Sequence, residues 1–118
     1  RVHARCHSEL ADALPVSRRG VAHLSAVVAN LGYLPGKFSD DGQHTRPAAT
    51  QAHTTLRAVS EAARHLAPNG VMVITCYLRH DGGAEEHAAL AEWARGLPAK
   101  EWRCVWLDVA NRTGAPKV

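Results

Sequence analysis

The sequence predicts an α/β fold in which mainly parallel strands form a layered sheet. Residues 71–77 give the clearest strand, because this run is apolar on both faces, as expected where helices cover both sides of a parallel sheet. Residues 52–66 instead repeat apolar side chains at steps of three and four, which is typical of an amphipathic helix. Strand-like and helix-like segments alternate along the 118 residues, and this alternation indicates the layered arrangement.

The first elements of the chain are short. Ser8 is expected to cap a helix over residues 9–14, with Glu9 favourably placed in its first turn. Residues 15–20 are predicted as a loop, and residues 24–29 as a buried strand with β-branched residues at its centre. This strand is expected to stop at Asn30, since the Gly and Pro residues that follow are incompatible with regular structure.

The long helix has predicted signals at both ends. Thr45 is expected to cap it, and Pro47 is tolerated in a first helical turn. The Pro-Asn-Gly sequence at residues 68–70 is expected to end it.

The second half of the chain continues the alternation. After the strand at residues 71–77, a turn at residues 81–83 leads to a predicted helix at residues 84–95, with Leu90 and Trp93 facing inward. Residues 102–109 are predicted as the last strand and residues 111–118 as an irregular tail.

Composition excludes some classes of protein. Hydrophobic residues make up 46% of the chain and charged residues 21%, so neither a disordered tail nor a membrane protein is expected. The net charge of +3 is compatible with a polyanion such as RNA and equally with an ordinary basic surface. The three cysteines form no CxxC pair, which favours a reducing compartment, and Cys76 and Cys104 are expected to be small core residues. The chain begins with Arg1 and has one internal Met, which suggests a piece of a longer protein.

Candidate site residues lie in the loops after the predicted strands, where ligands of parallel α/β sheets gather. Asn30 offers a carbonyl acceptor for an amine proton and an NH₂ donor, and Tyr33 offers a flat face for stacking on a base. A strand-end Asn in a turn and a surface Tyr remain the alternative for this pair.

Other residues carry weaker signals. His7, beside Cys6, is expected to contact a ligand or cap a turn, because adjacent residues rarely form a nucleophilic dyad. His80 is a candidate in a strand-end loop, and no His or Cys spacing suggests a metal site. Glu85 and Glu86 are interpreted as stabilising a helix N-terminus rather than as acid–base catalysts. The loop cations could meet phosphates or be solvated; they are Lys37, Arg46, Arg79 and Arg112.

Several motifs occur in the order and spacing of one family. They are Asn-Leu-Gly-Tyr-Leu-Pro-Gly at residues 30–36, Thr-Arg-Pro at 45–47 with Thr50 after it, Leu-Ala-Pro-Asn-Gly at 66–70, Tyr77 with His80, Gly82-Gly83 with Glu85-Glu86, Trp93 and Asn111. On these residues, from about Cys6 to Pro116, the chain resembles the rRNA methylase family of class I S-adenosylmethionine-dependent methyltransferases. Characterised bacterial members methylate the aminomethyl group of 5-aminomethyl-2-thiouridine at the tRNA wobble position.

The resemblance implies a class I methyltransferase, a Rossmann-like three-layer sandwich, of which residues 1–118 would be a partial domain. Residues 1–5 would end the third strand, and residues 24–29, 71–77 and 102–109 would be the fourth, fifth and sixth. The first two strands, with the Gly-rich cofactor loop and the acidic residue for the ribose, would precede residue 1. The last strand would follow Pro116.

The resemblance also implies roles for individual residues. Asn30 and Tyr33 would position the target amine and base for methyl transfer, and Cys6, His7 and Asn30 would lie beside the cofactor, S-adenosylmethionine. RNA contacts and site shaping would fall to Gly32, Tyr33, Lys37, Thr45, Arg46, Tyr77 and His80.

The expected function is therefore methylation of an amine on RNA, at the wobble uridine of tRNA. Methylation of rRNA or a small amine is one alternative, and a non-catalytic α/β module that binds RNA or protein is another. The expected partner is tRNA and the expected compartment the cytoplasm, with an organelle and a homodimer left open.

Overall fold

The computed structural model describes residues 2–17, 20–21, 23–34 and 48–118. The chain opens with a 3₁₀ turn, His7–Glu9, which continues into the short helix α1, Leu10–Ala13. Ser8 does not cap this helix as predicted: its hydroxyl lies 3.1 Å from the Cys6 sulfur, and no side chain caps either N-terminus. The turn and α1 both pack against the long helix of the chain.

A pair of parallel strands forms the centre of the molecule. Strand β3, Leu24–Leu31, pairs with β6, Leu66–Cys76, and residues 26–31 match residues 71–76 one to one. Both predicted strands are confirmed, but β3 runs two residues further than expected. Asn30 is therefore held inside the strand ladder rather than in the following loop.

Two further pairs of short strands are antiparallel and separate from the central sheet. Strand β1, Val16–Ser17, pairs antiparallel with β2, Gly20–Val21, within the stretch predicted as a loop. Strand β4, Tyr33–Leu34, pairs antiparallel with β5, Ala48–Ala49, which returns the chain to the end of β3.

Helix α2, Ala52–His65, is the predicted amphipathic helix. The residue before it is Gln51, with extended backbone, so the cap predicted at Thr45 is wrong; Thr45 itself lies outside the described residues. The helix also ends before the predicted Pro-Asn-Gly stop, because Leu66 is already extended and begins β6.

The Pro-Asn-Gly residues instead form an irregularity inside β6. Two steps along β3, from Leu24 to Ala26, correspond to five steps along β6, from Leu66 to Val71. Asn69 adopts a φ of 63°, the left-handed region that Asn tolerates better than most residues. A Cβ at Gly70 would lie 2.8 Å from the Ala67 carbonyl oxygen, so the bulge requires glycine there.

Helix α3, Gly83–Arg95, packs on the same side of the sheet as α2. The core between them is formed by Leu31, Val59, Cys76 and Leu90, with Ala29, Leu56, Met72, Ile74 and Trp93 around it. The opposite face carries exposed valines, of which Val28 is 77% exposed. Among the described residues, α2 and α3 cover one face of the strand pair, and the other face is exposed.

Residues 102–109 form no strand, which corrects the prediction made from their apolar character. Leu107 exchanges two backbone hydrogen bonds with Val118, at 2.6 and 3.2 Å, and Cys76 exchanges two with Lys117, at 2.7 and 2.9 Å. Part of the predicted irregular tail, residues 117–118, therefore lies between β6 and Leu107. One residue pair is too short for a ladder, so residues 102–109 stay without strand geometry.

Side-chain contacts attach this segment to α3. The rings of His87 and Trp106 meet edge to face with centroids 4.9 Å apart, and the Cys104 thiol lies 3.8 Å from the Ala94 carbonyl oxygen. Cys104 is exposed, contrary to prediction, whereas Cys76 is buried as predicted. Across the part of the chain described, no helix has the length and apolar character needed to cross a membrane.

The core predicts the effect of truncating its side chains. Leu90→Ala should lower the free energy of unfolding by about 2–5 kcal/mol, because Leu90 is 2% exposed and its removal leaves a cavity. Leu107→Ala is the matched control, with a change within about 0.5 kcal/mol, because its side chain is 60% exposed. Urea denaturation measures both, and equal losses would contradict this placement of the core.

Candidate functional site

The candidate site lies at the carboxyl ends of β3 and β6. Asn30 pairs with Thr75 in the ladder, and Leu31 pairs with Cys76. Because side chains alternate along a strand, burial of Leu31 and Cys76 in the core turns Asn30 to the exposed face. The amide predicted to hold a substrate is therefore fixed in the ladder by its backbone and accessible at its side chain.

Gly32 and Tyr77, both predicted on the substrate side, lie next to each other. A Cβ at Gly32 would lie 3.4 Å from Cδ2 of the Tyr77 ring, which is ordinary van der Waals contact. The Tyr77 side chain keeps 39% of its surface exposed. Asn30, Gly32 and Tyr77 together form a surface at the strand ends, which we call the ledge.

The hairpin of β4 and β5 brings Thr50 back to this ledge. The Gly32 carbonyl accepts a hydrogen bond from the Thr50 backbone N–H at 3.0 Å, and the Thr50 hydroxyl lies 3.3 Å from the same oxygen. Tyr33 pairs with Ala49 through its backbone, but its side chain is outside the described part of the structure. Its stacking role stays a prediction, as do the roles of Lys37, Thr45 and Arg46, which also lie outside the described residues.

Glu86, in the first turn of α3, is buried beneath these elements with 1% of its surface exposed. The Thr50 hydroxyl lies 2.9 Å from its Oε2 atom, and the buried Thr55 hydroxyl bonds to its Oε1 atom. The Thr55 oxygen also lies 3.5 Å from Nε2 of His7, whose imidazole is otherwise exposed. A chain of polar contacts therefore joins His7 to Gly32.

His80 occupies a tight turn between β6 and α3. The His80 Nδ1 atom lies 2.9 Å from the Asp81 carbonyl oxygen and donates to it. The His80 carbonyl oxygen accepts a hydrogen bond from the Gly83 N–H at 3.0 Å. Gly83 is required here, because a Cβ would overlap the Tyr77 carbonyl oxygen. The structure thus places His80 in the same turn as Tyr77, with its imidazole edge against Gly83.

Arg79, a candidate phosphate contact, reaches across to the turn at residues 113–114. Its guanidinium donates to the Thr113 carbonyl at 3.4 Å. Gly114 has a φ of 69°, and a Cβ there would overlap the guanidinium. Arg79 therefore fixes the turn before the C-terminal residues.

The two cysteines near the site have opposite electrostatic surroundings. Hydrogen bonds from the side chain and backbone of Ser8 lower the pKa of the exposed Cys6 thiol. Burial, with a smaller contribution from the Glu86 charge, raises the pKa of Cys76 to about 11. Among the described residues, no three His, Cys, Asp or Glu side chains gather as metal ligands do.

Thr55 was not identified from sequence, Thr50 was named only as part of a family motif, and Glu86 was interpreted as a residue at a helix N-terminus. A signal was present in the periodicity. Thr55 lies on the apolar stripe of α2, between Ala52 and Val59, and Glu86 lies three and four residues from Gly83 and Leu90 on the stripe of α3. Polar residues on two facing apolar stripes indicate partners in the core.

Comparison with known proteins gives matches over nearly the whole chain. A family model described as "Putative rRNA methylase" matches residues 1–118. A curated Arabidopsis thaliana protein, "tRNA (mnm(5)s(2)U34)-methyltransferase, chloroplastic", is 34% identical over 111 residues, which are 94% of this chain and 36% of that protein.

Solved structures show the same fold. A crystal structure described as a putative rRNA-methylase from Clostridium thermocellum matches with a TM-score of 0.78 and 25% identity, over 99% of this chain and 56% of that one. A putative methyltransferase from Streptococcus mutans, SMU.1697c, in complex with SAH, matches with a TM-score of 0.73 and 22% identity, over 94% and 53%. The chain spans 36% of the curated relative's length and just over half of the two solved structures.

The close approach at Gly83 predicts intolerance to substitution. Gly83→Ala should lower the free energy of unfolding by about 1–3 kcal/mol, because its Cβ meets the backbone oxygen of Tyr77. Gly96→Ala is the control: its φ of −77° suits alanine, and its nearest contact would be 3.4 Å, so stability should hold or rise slightly. Thermal unfolding measures the stability of both variants, and an equal change in the two would contradict this geometry.

The raised pKa of Cys76 predicts a pH dependence. The folded protein holds the thiol proton up to about pH 11, whereas the unfolded chain releases it near the ordinary value of 9.0. The stabilisation is therefore complete below pH 9 and is lost as the pH rises through 11. Denaturation curves from pH 8 to 11 should show a steeper loss in the wild type than in Cys76→Ala; identical slopes would contradict the assignment.

Proposed function

Because the chain belongs to the rRNA methylase family, we propose that it carries the substrate side of an S-adenosylmethionine-dependent methyltransferase that modifies an amine on RNA. The observation that carries the proposal is the ledge at the carboxyl end of the sheet. There the ladder fixes Asn30 with its amide exposed, beside Gly32 and the half-exposed face of Tyr77. The family likeness supplies the reaction class, and the ledge supplies groups suited to it.

The residues present fit one side of such a cofactor. The Asn30 amide, Cys6 and His7 are exposed, and His7 is joined to Gly32 through the Thr55, Glu86 and Thr50 contacts. These residues would hold one side of S-adenosylmethionine, which when bound supplies the methyl group.

The chemistry asked of the chain is orientation. An amine attacks only through its lone pair, so the N–H bonds must point away from the methyl carbon. The Asn30 carbonyl oxygen would accept one N–H and thereby aim the lone pair, while the Tyr77 face and, as predicted from sequence, the Tyr33 ring would hold the base. Catalysis would then consist chiefly of positioning, with no covalent enzyme intermediate.

A wobble uridine of tRNA is the proposed target. The support is the Arabidopsis relative, whose description names that nucleoside and which is 34% identical over 94% of this chain. The net charge of +3 suits a polyanionic partner. That relative is chloroplastic, so an organelle stands beside the cytoplasm as the proposed compartment.

The proposal predicts that Asn30→Ala, made in the protein as it occurs in the cell, lowers kcat for methyl transfer about 100-fold, because the amine loses the acceptor that orients it. Cofactor affinity, measured by calorimetry, should change far less. Ser25→Ala, an exposed position on the same strand, is the control and should leave turnover unchanged.

Nucleoside analysis of tRNA and rRNA supplied as separate substrates identifies the target. Methyl groups on the wobble uridine of tRNA support the proposal, whereas methylation of rRNA alone would overturn the tRNA assignment. Unchanged turnover in Asn30→Ala would remove the role of that residue.

A further inference from the structure

The Glu86 carboxylate bonds to two segments that are distant in sequence. Its Oε2 atom lies 2.9 Å from the hydroxyl of Thr50, which follows β5, and its Oε1 atom contacts the hydroxyl of Thr55 in the first turns of α2. Both threonines have a second polar neighbour, the Gly32 carbonyl for Thr50 and the His7 imidazole for Thr55. Glu86 is therefore the middle of a five-residue network.

Hydrogen counting assigns a direction to these bonds, because each threonine hydroxyl has one proton. The Thr50 hydroxyl donates to Glu86, which is nearer at 2.9 Å than the Gly32 oxygen at 3.3 Å, and the Gly32 oxygen is already satisfied by the Thr50 backbone N–H at 3.0 Å. A carboxylate accepts at both oxygens, so Thr55 also donates to Glu86. The Thr55 oxygen can then only accept, and His7 must donate to it from Nε2–H.

The stability of α3 does not explain this arrangement. Glu85 lies in the same first turn, is exposed, and offers the helix N-terminus a negative charge without desolvation. Burial of the Glu86 carboxylate is unfavourable unless its bonds compensate. The compensating bonds lead to residues on both sides of the proposed site.

We propose that Glu86 is a positioning residue that, through Thr55, fixes the His7 ring with Nε2 protonated and, through Thr50, fixes the Gly32 carbonyl beside Asn30. The kinetic effects expected from this inference rest on the proposed function, whereas the hydrogen-bond geometry does not. His7, on the cofactor side, presents Nδ1 as an acceptor, and the ledge on the target side keeps its shape.

Paired substitutions at Thr55 test the link to His7. Thr55→Val keeps the shape and removes the hydroxyl, whereas Thr55→Ser keeps the hydroxyl. A His7 Nε2–H signal in proton-detected NMR of ¹⁵N-histidine protein should be seen in the wild type and in Thr55→Ser, because its hydrogen bond slows exchange with water. The signal should disappear in Thr55→Val.

Substitutions of the two neighbouring glutamates separate positioning from helix stability. Glu86→Leu keeps a side chain of similar size and removes both acceptor oxygens, so it should weaken the His7 signal and the ledge together. Glu85→Leu should leave the signal unchanged. Both variants remove one negative charge from the same helical turn, so equal effects would assign Glu86 to helix stability and overturn the proposal.

Kinetics give a second readout. Thr55→Val should raise KM for the cofactor about fivefold to tenfold with kcat little changed, as expected for the loss of one hydrogen bond. Thr50→Val should lower kcat by a similar factor with KM little changed. If the wild type shows the His7 signal and Thr55→Val loses it, while the wild type transfers no methyl group, this result would overturn the proposed function and leave the positioning geometry intact. Normal kinetics and a normal His7 signal in Thr55→Val would overturn the positioning role alone.

Discussion

Parallel pairing of β3 with β6 decides, residue by residue, which side chains enter the core and which face outward. Matching residues 26–31 with residues 71–76 places Leu31 and Cys76 beneath the helices and Asn30 and Thr75 on the opposite face. A slip of one residue would exchange the two sets, burying an amide and exposing a leucine. The accessibility of the proposed site therefore depends on the same register that forms the core.

The polar network beneath the ledge complements this register. Hydrophobic packing holds α2 and α3 on the sheet without specifying how far each slides, whereas a carboxylate shared by two hydroxyls accepts only a narrow range of positions. Glu86 thus joins the beginning of α2, the beginning of α3 and the hairpin that follows β3. Order at the proposed site arises from a few directional bonds set inside a non-directional core.

Regular elements could be predicted from sequence, because the periodicity of β3, β6, α2 and α3 is carried by residues within each element. Features that depend on a partner could not. The valines at 71 and 73 satisfy the pattern of a doubly covered strand, yet no described helix covers them. Residues 102–109 have strand character, but within the described part of the chain Leu107 alone pairs through its backbone, with Val118. Of the candidate residues named from sequence, Asn30, Gly32 and Tyr77 lie together at the strand ends, and His7 contacts Thr55; their roles stay predictions. Thr55 was missed because a hydroxyl on an apolar stripe does not identify its partner.

The three cysteines differ in exposure, so two of them can carry spectroscopic labels while the third stays buried. Cys6 and Cys104 are exposed, and hydrogen bonds from Ser8 favour the reactive thiolate of Cys6, whereas burial keeps Cys76 protonated. Thiol-directed labels can therefore be attached at two natural positions without touching the core. One position adjoins His7, and the other lies in the segment anchored to α3 by the His87–Trp106 contact. The distance between labels on Cys6 and Cys104 would report movement of the N-terminal turn relative to the segment beside α3, without any engineered cysteine.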